Sequence, residues 1–81
     1  MSDDTFAWVR AQLAGVLGLP EDDIARGSRL ADDLDADSID LIEVVNKAEV
    51  AFGIEIPEDD LYDIESVDEF VQLVDARRTD A

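Results

Sequence analysis

The chain has 81 residues, enough for one domain around one small core. It contains no cysteine and no histidine, which excludes disulfides, thiolate metal sites and the commonest general base. The 22 acidic residues against 6 basic ones give a net charge of −16, which disfavours binding to nucleic acid or anionic lipid and favours basic protein surfaces. No apolar run could cross a bilayer and no signal peptide is visible, so a cytoplasmic protein is expected.

The first predicted helix begins at residue 3 or 4 and ends near residue 17. Apolar residues recur at three- and four-residue spacing and form one stripe: Phe6, Val9, Leu13, Val16 and Leu17. Gly18 suits the left-handed position after a helix, and Pro20 prevents the helix from continuing. Trp8 falls opposite the stripe, and we expect its ring to cover a neighbouring loop rather than to contact a partner.

Residues 19–36 form a long connection with few apolar side chains. A connection of this length in a compact domain either serves a function or packs through its own anchors. The predicted anchors are Ile24, Leu30 and Leu34. The two arginines of this connection are expected to offset some of the nearby carboxylates.

The second predicted helix spans residues 38–52 and has two different faces. One face is apolar and predicted to be buried: Leu41, Val44, Val45, Ala48 and Phe52. The other presents apolar, polar and acidic side chains together: Ile39, Ile42, Glu43, Asn46, Glu49 and Val50. A contiguous apolar surface with an acidic rim favours a docking surface over an ordinary solvated face.

Two further helices are predicted after Gly53 and Pro57, which end the second helix and mark the next loop. Residues 58–64 form a short helix. The sequence Ser66-Val67-Asp68-Glu69 is a capping-box pattern, so the last helix begins at Val67. Its buried face comprises Val67, Phe70, Val71 and Val74, and its tail is expected to fray after about residue 76. The sequence therefore predicts an all-α fold, a small four-helix bundle of three long helices plus one short, with a long loop between helices 1 and 2.

The sequence Asp37-Ser38-Ile39-Asp40 lies where the long connection becomes the second helix. A serine in this position is exposed, and the helix dipole favours an anion beside it. The simpler interpretation is that Asp37 or Ser38 caps the helix. A catalytic role for Ser38 is not expected, because without histidine and with one distant lysine the chain offers no base to activate the hydroxyl.

A longer pattern contains this serine: Leu34-Asp35-Ala36-Asp37-Ser38-Ile39-Asp40-Leu41-Ile42-Glu43, followed by Phe52-Gly53-Ile54-Glu55-Ile56-Pro57. It resembles the acyl carrier proteins over nearly the whole chain. The resemblance implies one acyl-carrier domain, residues 1–81, with the same four-helix fold. It also implies that Ser38 carries covalent 4′-phosphopantetheine from coenzyme A, whose thiol holds acyl intermediates as thioesters. The protein would then be a substrate of partner enzymes rather than an enzyme, with no metal site.

The resemblance also implies which residues read partners: Asp37, Ile39, Asp40, Ile42, Glu43, Asn46 and Glu49. The implied partners are a phosphopantetheinyl transferase and acyltransferases, ketosynthases or acyl-activating enzymes with basic docking surfaces. They belong to fatty acid, polyketide or related lipid biosynthesis. Nucleic acid and membranes are not expected partners, and the carrier is expected to be a monomer.

Three positions depart from the family's pattern. Asp35 stands where glycine is common, Asn46 where a large apolar residue is usual, and Lys47 places a positive charge on an acidic helix. These changes leave attachment at Ser38 intact but suggest a restricted set of partners. A specialised polyketide or modified-lipid pathway is therefore expected at least as much as housekeeping fatty acid synthesis.

Peptidyl carriers of nonribosomal pathways share the fold and the serine and are the main alternative. The sequence Asp35-Ala36-Asp37-Ser38 and the charge of −16 favour an acyl carrier. The start at Met1 and the short tail after Ala76 suggest a freestanding carrier rather than a module of a larger enzyme.

Two alternatives come from other classes of protein. Asp33, Asp35 and Asp37 match positions 1, 3 and 5 of a calcium-binding EF-hand loop. The sixth and twelfth positions, which need glycine and glutamate, hold Ser38 and Val44 instead, which argues against that site. The other alternative is an acidic interaction domain that uses the Ile39–Ile42 face without a prosthetic group.

Overall fold

The computed structural model describes residues 2–79, which fold into helices joined by loops. Three α-helices are present, α1 (Ser2–Leu17), α2 (Ser38–Phe52) and α3 (Val67–Thr79). Two 3₁₀ helices lie between them, at Glu21–Asp23 and at Glu58–Asp63. Over residues 2–79 there is no strand, only an isolated bridge between Arg29 and Ser66. The predicted all-α bundle of three long helices and one short one, with a long first loop, is confirmed.

The helix boundaries follow local signals closely. Helices α2 and α3 begin at the predicted residues, and α1 begins at Ser2, slightly earlier than expected. The single 3₁₀ turn at Glu21–Asp23 was not predicted. Helix α3 continues past residue 76, and the fraying expected there stays a prediction, since residues 80 and 81 lie outside the described part of the chain.

Glycine ends the first two helices. Gly18 and Gly53 have positive φ angles of 70° and 67°, the left-handed conformation that glycine adopts without a steric penalty. The N–H of Gly18 donates to the carbonyl of Ala14 at 2.9 Å, and that of Gly53 donates to the carbonyl of Glu49 at 2.9 Å. These bonds satisfy carbonyls that a helix end leaves without partners.

One face of each α-helix contributes to a single core. The fully or nearly buried apolar side chains on the helices are Val9, Leu13, Leu41, Val44, Val45, Ala48, Val67, Phe70, Val71 and Val74. This set confirms the predicted stripe of α3 in full, four of the five predicted residues of α2, and two of the five of α1. The remaining predicted stripe residues, Phe6, Val16, Leu17 and Phe52, are half-buried and pack at the edge of the core.

The long loop packs through the predicted anchors. Ile24, Leu30 and Leu34 are buried, with exposed fractions of 2%, 2% and 6%. Backbone hydrogen bonds tie the loop to the start of α3: the N–H of Leu30 donates to the carbonyl of Glu65, and that of Val67 donates to the carbonyl of Ser28, both at 2.9 Å. The loop is therefore part of the packed structure.

The two arginines of the loop pair with carboxylates, as expected. Arg26 contacts Asp68 of α3 at 3.0 Å, and Arg29 contacts Asp32 at 3.6 Å. The first pair joins the loop to a distant helix, whereas the second lies within one turn of the loop.

The prediction for Trp8 was wrong. Its ring packs against the ring of Phe52, with centroids 4.8 Å apart and planes tilted by 60°. Trp8 therefore covers the C-terminal end of α2 rather than a loop.

In the described part of the chain, no helix is long and apolar enough to span a membrane.

Candidate functional site

Asp37 is the residue that caps α2. Its side-chain Oδ1 accepts a hydrogen bond from the N–H of Asp40 at 3.0 Å, and its own N–H donates to Oδ2 of Asp40 at 3.2 Å. This is a reciprocal capping box that satisfies two backbone donors at the helix start. Of the two capping candidates that the sequence offers, Asp37 is the one used.

The side chain of Ser38 is therefore not used in the helix cap. It is the first residue of α2 and is exposed. Among residues 2–79, no side chain or backbone group forms a hydrogen bond with its hydroxyl. The hydroxyl is therefore open to solvent at the start of α2.

A groove of about 610 Å³ opens beside Ser38. It lies between the end of the long loop, the start of α2 and the 3₁₀ helix Glu58–Asp63. Apolar side chains supply much of its wall: Leu30, Ala31, Ala36, Leu41, Leu61 and Ile64. Polar groups line the rest: Arg29, Asp32, Asp37, Ser38, Tyr62 and Glu65. A flexible group attached to Ser38 would find apolar surface next to its point of attachment.

Asp35 has a positive φ angle of 57°, the single such non-glycine residue among those described. Aspartate adopts this left-handed conformation more readily than most residues, although at a steric cost that glycine does not have. The positive φ angle accounts for the glycine that the resemblance leads one to expect at this position. Aspartate retains the turn that leads into Ser38.

The acidic residues before α2 do not converge on one point in the described structure. Over the described residues, no group of three or more candidate ligands converges. Oδ2 of Asp33 accepts a hydrogen bond from the N–H of Arg29 at 2.8 Å, and Asp37 is engaged in the helix cap. Two of the three carboxylates of the EF-hand alternative therefore stabilise the loop and the helix start.

The outward face of α2 is narrower than the sequence indicates. Ile39, Glu43, Asn46 and Val50 are exposed and follow helical spacing, so they form one continuous strip. Ile39 and Val50 are 72% and 86% exposed, unusually high for apolar side chains of this size. This strip is the surface of α2 most accessible to a partner.

Four of the predicted partner-reading residues have structural contacts as well. Ile42 is half-buried and packs against the core. Asp40 completes the capping box, and Oε2 of Glu49 accepts a hydrogen bond from the N–H of Ile56 at 2.9 Å. These residues stabilise the fold, whereas Asp37 combines a cap with an exposed side chain.

Reasoning from the sequence missed two residues of the groove. Tyr62 is 73% exposed at its edge, and Arg29 is the base that lines it. Tyr62 sits between the apolar anchors Leu61 and Ile64 on a short helix, a pattern that places its ring outward. No local signal identifies Arg29, since it lies 9 positions before Ser38 in the sequence and only the folded loop places both on one groove.

Comparison with known proteins agrees with this geometry. Residues 7–74 match the family described as the phosphopantetheine attachment site. The chain is 35% identical over 77 residues to an acyl carrier protein of Borreliella burgdorferi, covering 95% of this chain and 96% of the relative. It is 35% identical over 75 residues to one of Helicobacter hepaticus, covering 93% and 99%. For one of Thermotoga maritima the identity is 31% over 75 residues, covering 93% of each.

The fold and the match over residues 7–74 define a phosphopantetheine-binding carrier domain. The chain belongs to the acyl carrier protein family. Its cofactor is covalently attached 4′-phosphopantetheine. The free hydroxyl and the adjoining groove fit such a group.

Proposed function

We propose that Ser38 carries the 4′-phosphopantetheine group and that the chain delivers acyl intermediates to biosynthetic enzymes. One observation carries this assignment. The Ser38 hydroxyl is exposed and unpartnered among the described residues because Asp37 and Asp40 cap the helix in its place. A serine needed for the cap would lose a hydrogen bond on modification, whereas this one has none to lose.

The chain's own contribution is attachment and presentation. In the transfer, the Ser38 oxygen bonds to the phosphopantetheine phosphorus of coenzyme A as the pyrophosphate P–O bond breaks. Adenosine 3′,5′-bisphosphate leaves and the serine proton is lost, so the product is a phosphodiester with one negative charge. When bound, the group supplies a terminal thiol that holds acyl groups as thioesters. The apolar part of the groove provides a surface, close to the point of attachment, on which the attached group can be partly removed from water.

The exposed strip of α2 is proposed as the surface that partner enzymes contact. Glu43 supplies negative charge there, and Ile39 and Val50 supply apolar area on either side. A basic surface with an apolar centre would be complementary to it. A phosphopantetheinyl transferase and the acyltransferases, ketosynthases or acyl-activating enzymes of a lipid pathway are the proposed partners, in the cytoplasm.

The pathway is proposed as fatty acid, polyketide or related lipid biosynthesis. Lys47 beside Glu43 gives the helix a surface with mixed charge, and Asn46 makes it more polar, which supports a restricted set of partners. Intact mass of the protein isolated from its own host would identify the attached acyl group.

Attachment is tested by intact mass after incubation with coenzyme A and a phosphopantetheinyl transferase. The parent protein is expected to gain one phosphopantetheinyl group, and Ser38→Ala is expected to gain none while melting at a similar temperature. Ser28→Ala is the matched control, because it removes a serine hydroxyl elsewhere in the same loop region and should still be modified. Modification that persists in Ser38→Ala would refute the assignment.

A further inference from the structure

The surroundings of Ser38 are strongly acidic. Between residues 32 and 40 there are five aspartates, namely Asp32, Asp33, Asp35, Asp37 and Asp40, and no basic residue. A phosphodiester on Ser38 would add a further negative charge to this segment. Since like charges at short range repel, a nearby positive charge would offset part of this repulsion.

Most of the basic side chains are engaged elsewhere. Arg26 pairs with Asp68, Arg77 pairs with Asp60, and Arg10 pairs with Glu21, at N···O distances of 3.0, 3.0 and 3.5 Å. Arg78 donates to the Thr5 hydroxyl at 2.8 Å, and its guanidinium lies 4.4 Å from the centre of the Phe52 ring.

Lys47 belongs to a different groove, between α1 and α2, lined also by Trp8 and Val50. Arg29 is the single base among the lining residues of the groove that contains Ser38. Of the six basic residues of the chain, Arg29 is therefore the one placed to meet a charge on Ser38.

The backbone of Arg29 is held firmly in this place. Its N–H donates to Asp33, and its carbonyl accepts from the N–H groups of Asp33 and Leu34 at 2.9 and 3.1 Å. The next residue's carbonyl accepts from the N–H of Ala36 at 2.8 Å, which closes the loop onto the segment that precedes Ser38. The base of the side chain is thus fixed close to the start of α2.

The guanidinium of Arg29 is free to change partners. Its ion pair with Asp32 is 3.6 Å long, and the two side chains are 67% and 73% exposed. An exposed pair of this kind contributes little to stability. Two oxygens of a phosphate match the planar guanidinium group of arginine better than Asp32 does in this long ion pair. Arginine binds phosphate through two parallel hydrogen bonds.

We propose that Arg29 is the counter-charge for the phosphodiester on Ser38, and that it turns from Asp32 to the phosphate when the carrier is loaded. This inference rests on the proposed attachment at Ser38. It assigns Arg29 a positioning role: the residue holds the first atoms of the attached group against the groove.

The experiment compares unloaded and loaded forms of four proteins: the parent, Arg29→Gln, Arg29→Lys and Lys47→Gln. Intact mass first confirms that each protein is loaded. The change in melting temperature on loading is then measured at low salt. Loading is expected to lower the melting temperature of Arg29→Gln by about 3 °C more than that of the parent. Arg29→Lys should show an intermediate change in melting temperature, because lysine retains the positive charge but lacks the planar guanidinium group.

Lys47→Gln is the matched control, since it removes the same charge from the other groove, and it should respond to loading as the parent does. The difference at Arg29 should largely vanish at about 0.5 M salt, because screening acts on exposed charges. In the parent, the side-chain Nε–H resonance of Arg29 should move on loading while that of Arg26 stays in place.

The outcomes separate the two proposals. One result is that loading changes the melting temperatures of Arg29→Gln and the parent equally, with no movement of the Arg29 resonance. That result would overturn the role of Arg29 and would not affect the proposed attachment at Ser38. A response of Lys47→Gln as large as that of Arg29→Gln would show a general charge effect and would also overturn it. Absence of any added mass on the parent would overturn the attachment at Ser38 and this inference with it.

Discussion

The carboxylates of Asp37 and Asp40 each accept a hydrogen bond from the other residue's backbone N–H, at 3.0 and 3.2 Å. Asp37 precedes Ser38 and Asp40 follows it, and together they satisfy two backbone N–H groups at the helix start without using the serine hydroxyl. The same two residues also place negative charge on both sides of the hydroxyl. Stability of the helix start and availability of Ser38 therefore depend on one pair of side chains.

Asp37→Ala is expected to lower the free energy of unfolding by about 1 kcal/mol, the usual effect of losing a helix N-cap. For a domain of this size, the melting temperature should fall by about 4–8 °C. Asp37→Asn is the control, because its side-chain oxygen still accepts from Asp40 while the charge is lost. Urea denaturation should place Asp37→Asn near the parent. Equal stability of the alanine variant and the parent would contradict the capping role.

Asp35→Gly is expected to stabilise the protein by about 0.5 kcal/mol. Glycine removes the steric cost of the left-handed conformation, roughly 1–2 kcal/mol for an ordinary residue, but loses more chain entropy on folding. Asp35→Asn removes the same charge and keeps a residue that tolerates this conformation, so it measures the charge effect alone. Chemical denaturation of the three proteins gives the comparison. A glycine variant less stable than the asparagine variant would show that aspartate adopts this backbone without strain.

Ile39→Ala and Ile42→Ala are expected to differ although the two residues are on one helix. Ile39 is 72% exposed, so its truncation should change stability by less than about 0.5 kcal/mol. Ile42 packs against the core, and its truncation should cost about 1–2 kcal/mol. Thermal melts of both variants decide the point. The proposed partner surface predicts in addition that Ile39→Ala slows turnover by a cognate enzyme while the fold remains intact.

Thr5→Val tests a buried connection between the first and last helices. The Thr5 hydroxyl is fully buried, donates to Oδ1 of Asp75 at 2.8 Å and accepts from Arg78 at 2.8 Å. Valine has a similar shape and leaves both charged partners without the hydroxyl, so a loss of about 2 kcal/mol is expected. A cycle with Arg78→Gln would measure the coupling between the two residues. Additive effects would show that the two contacts act independently.

Added salt is expected to stabilise the unmodified protein. Between Leu30 and Phe70 the chain has 15 acidic residues and a single base, Lys47, and most of these acids are exposed. At about 0.15 M salt the screening length is about 8 Å, which weakens repulsion among exposed carboxylates. The melting temperature should rise from low salt to about 0.15 M sodium chloride, and millimolar magnesium should act in the same direction. A melting temperature independent of salt would show that this repulsion is negligible.

The helices and the position of the serine could be predicted from the sequence because the signals for them are local. The capping box at Ser66, the apolar spacing of α3 and the glycines at 18 and 53 each act within a few residues of the boundary they set. Likewise, Ser38 follows a loop and begins a helix, so its exposure could be predicted before the fold was known. The loop anchors Ile24, Leu30 and Leu34 were also evident, since they are the apolar residues of a polar stretch.

Which outward residues are exposed and which form contacts depends on packing between distant segments, which the sequence pattern does not show. Ile39 and Ile42 are indistinguishable by type and lie on the same side of the helical wheel, yet neighbouring elements half-bury only the second. The carboxylate of Glu49 accepts a hydrogen bond from the N–H of Ile56, and the ring of Trp8 packs against the ring of Phe52. Arg29 shares a groove with Ser38 because the folded loop brings them together. Periodicity describes one helix at a time, whereas these contacts arise between segments that are distant along the chain, and only packing brings them together.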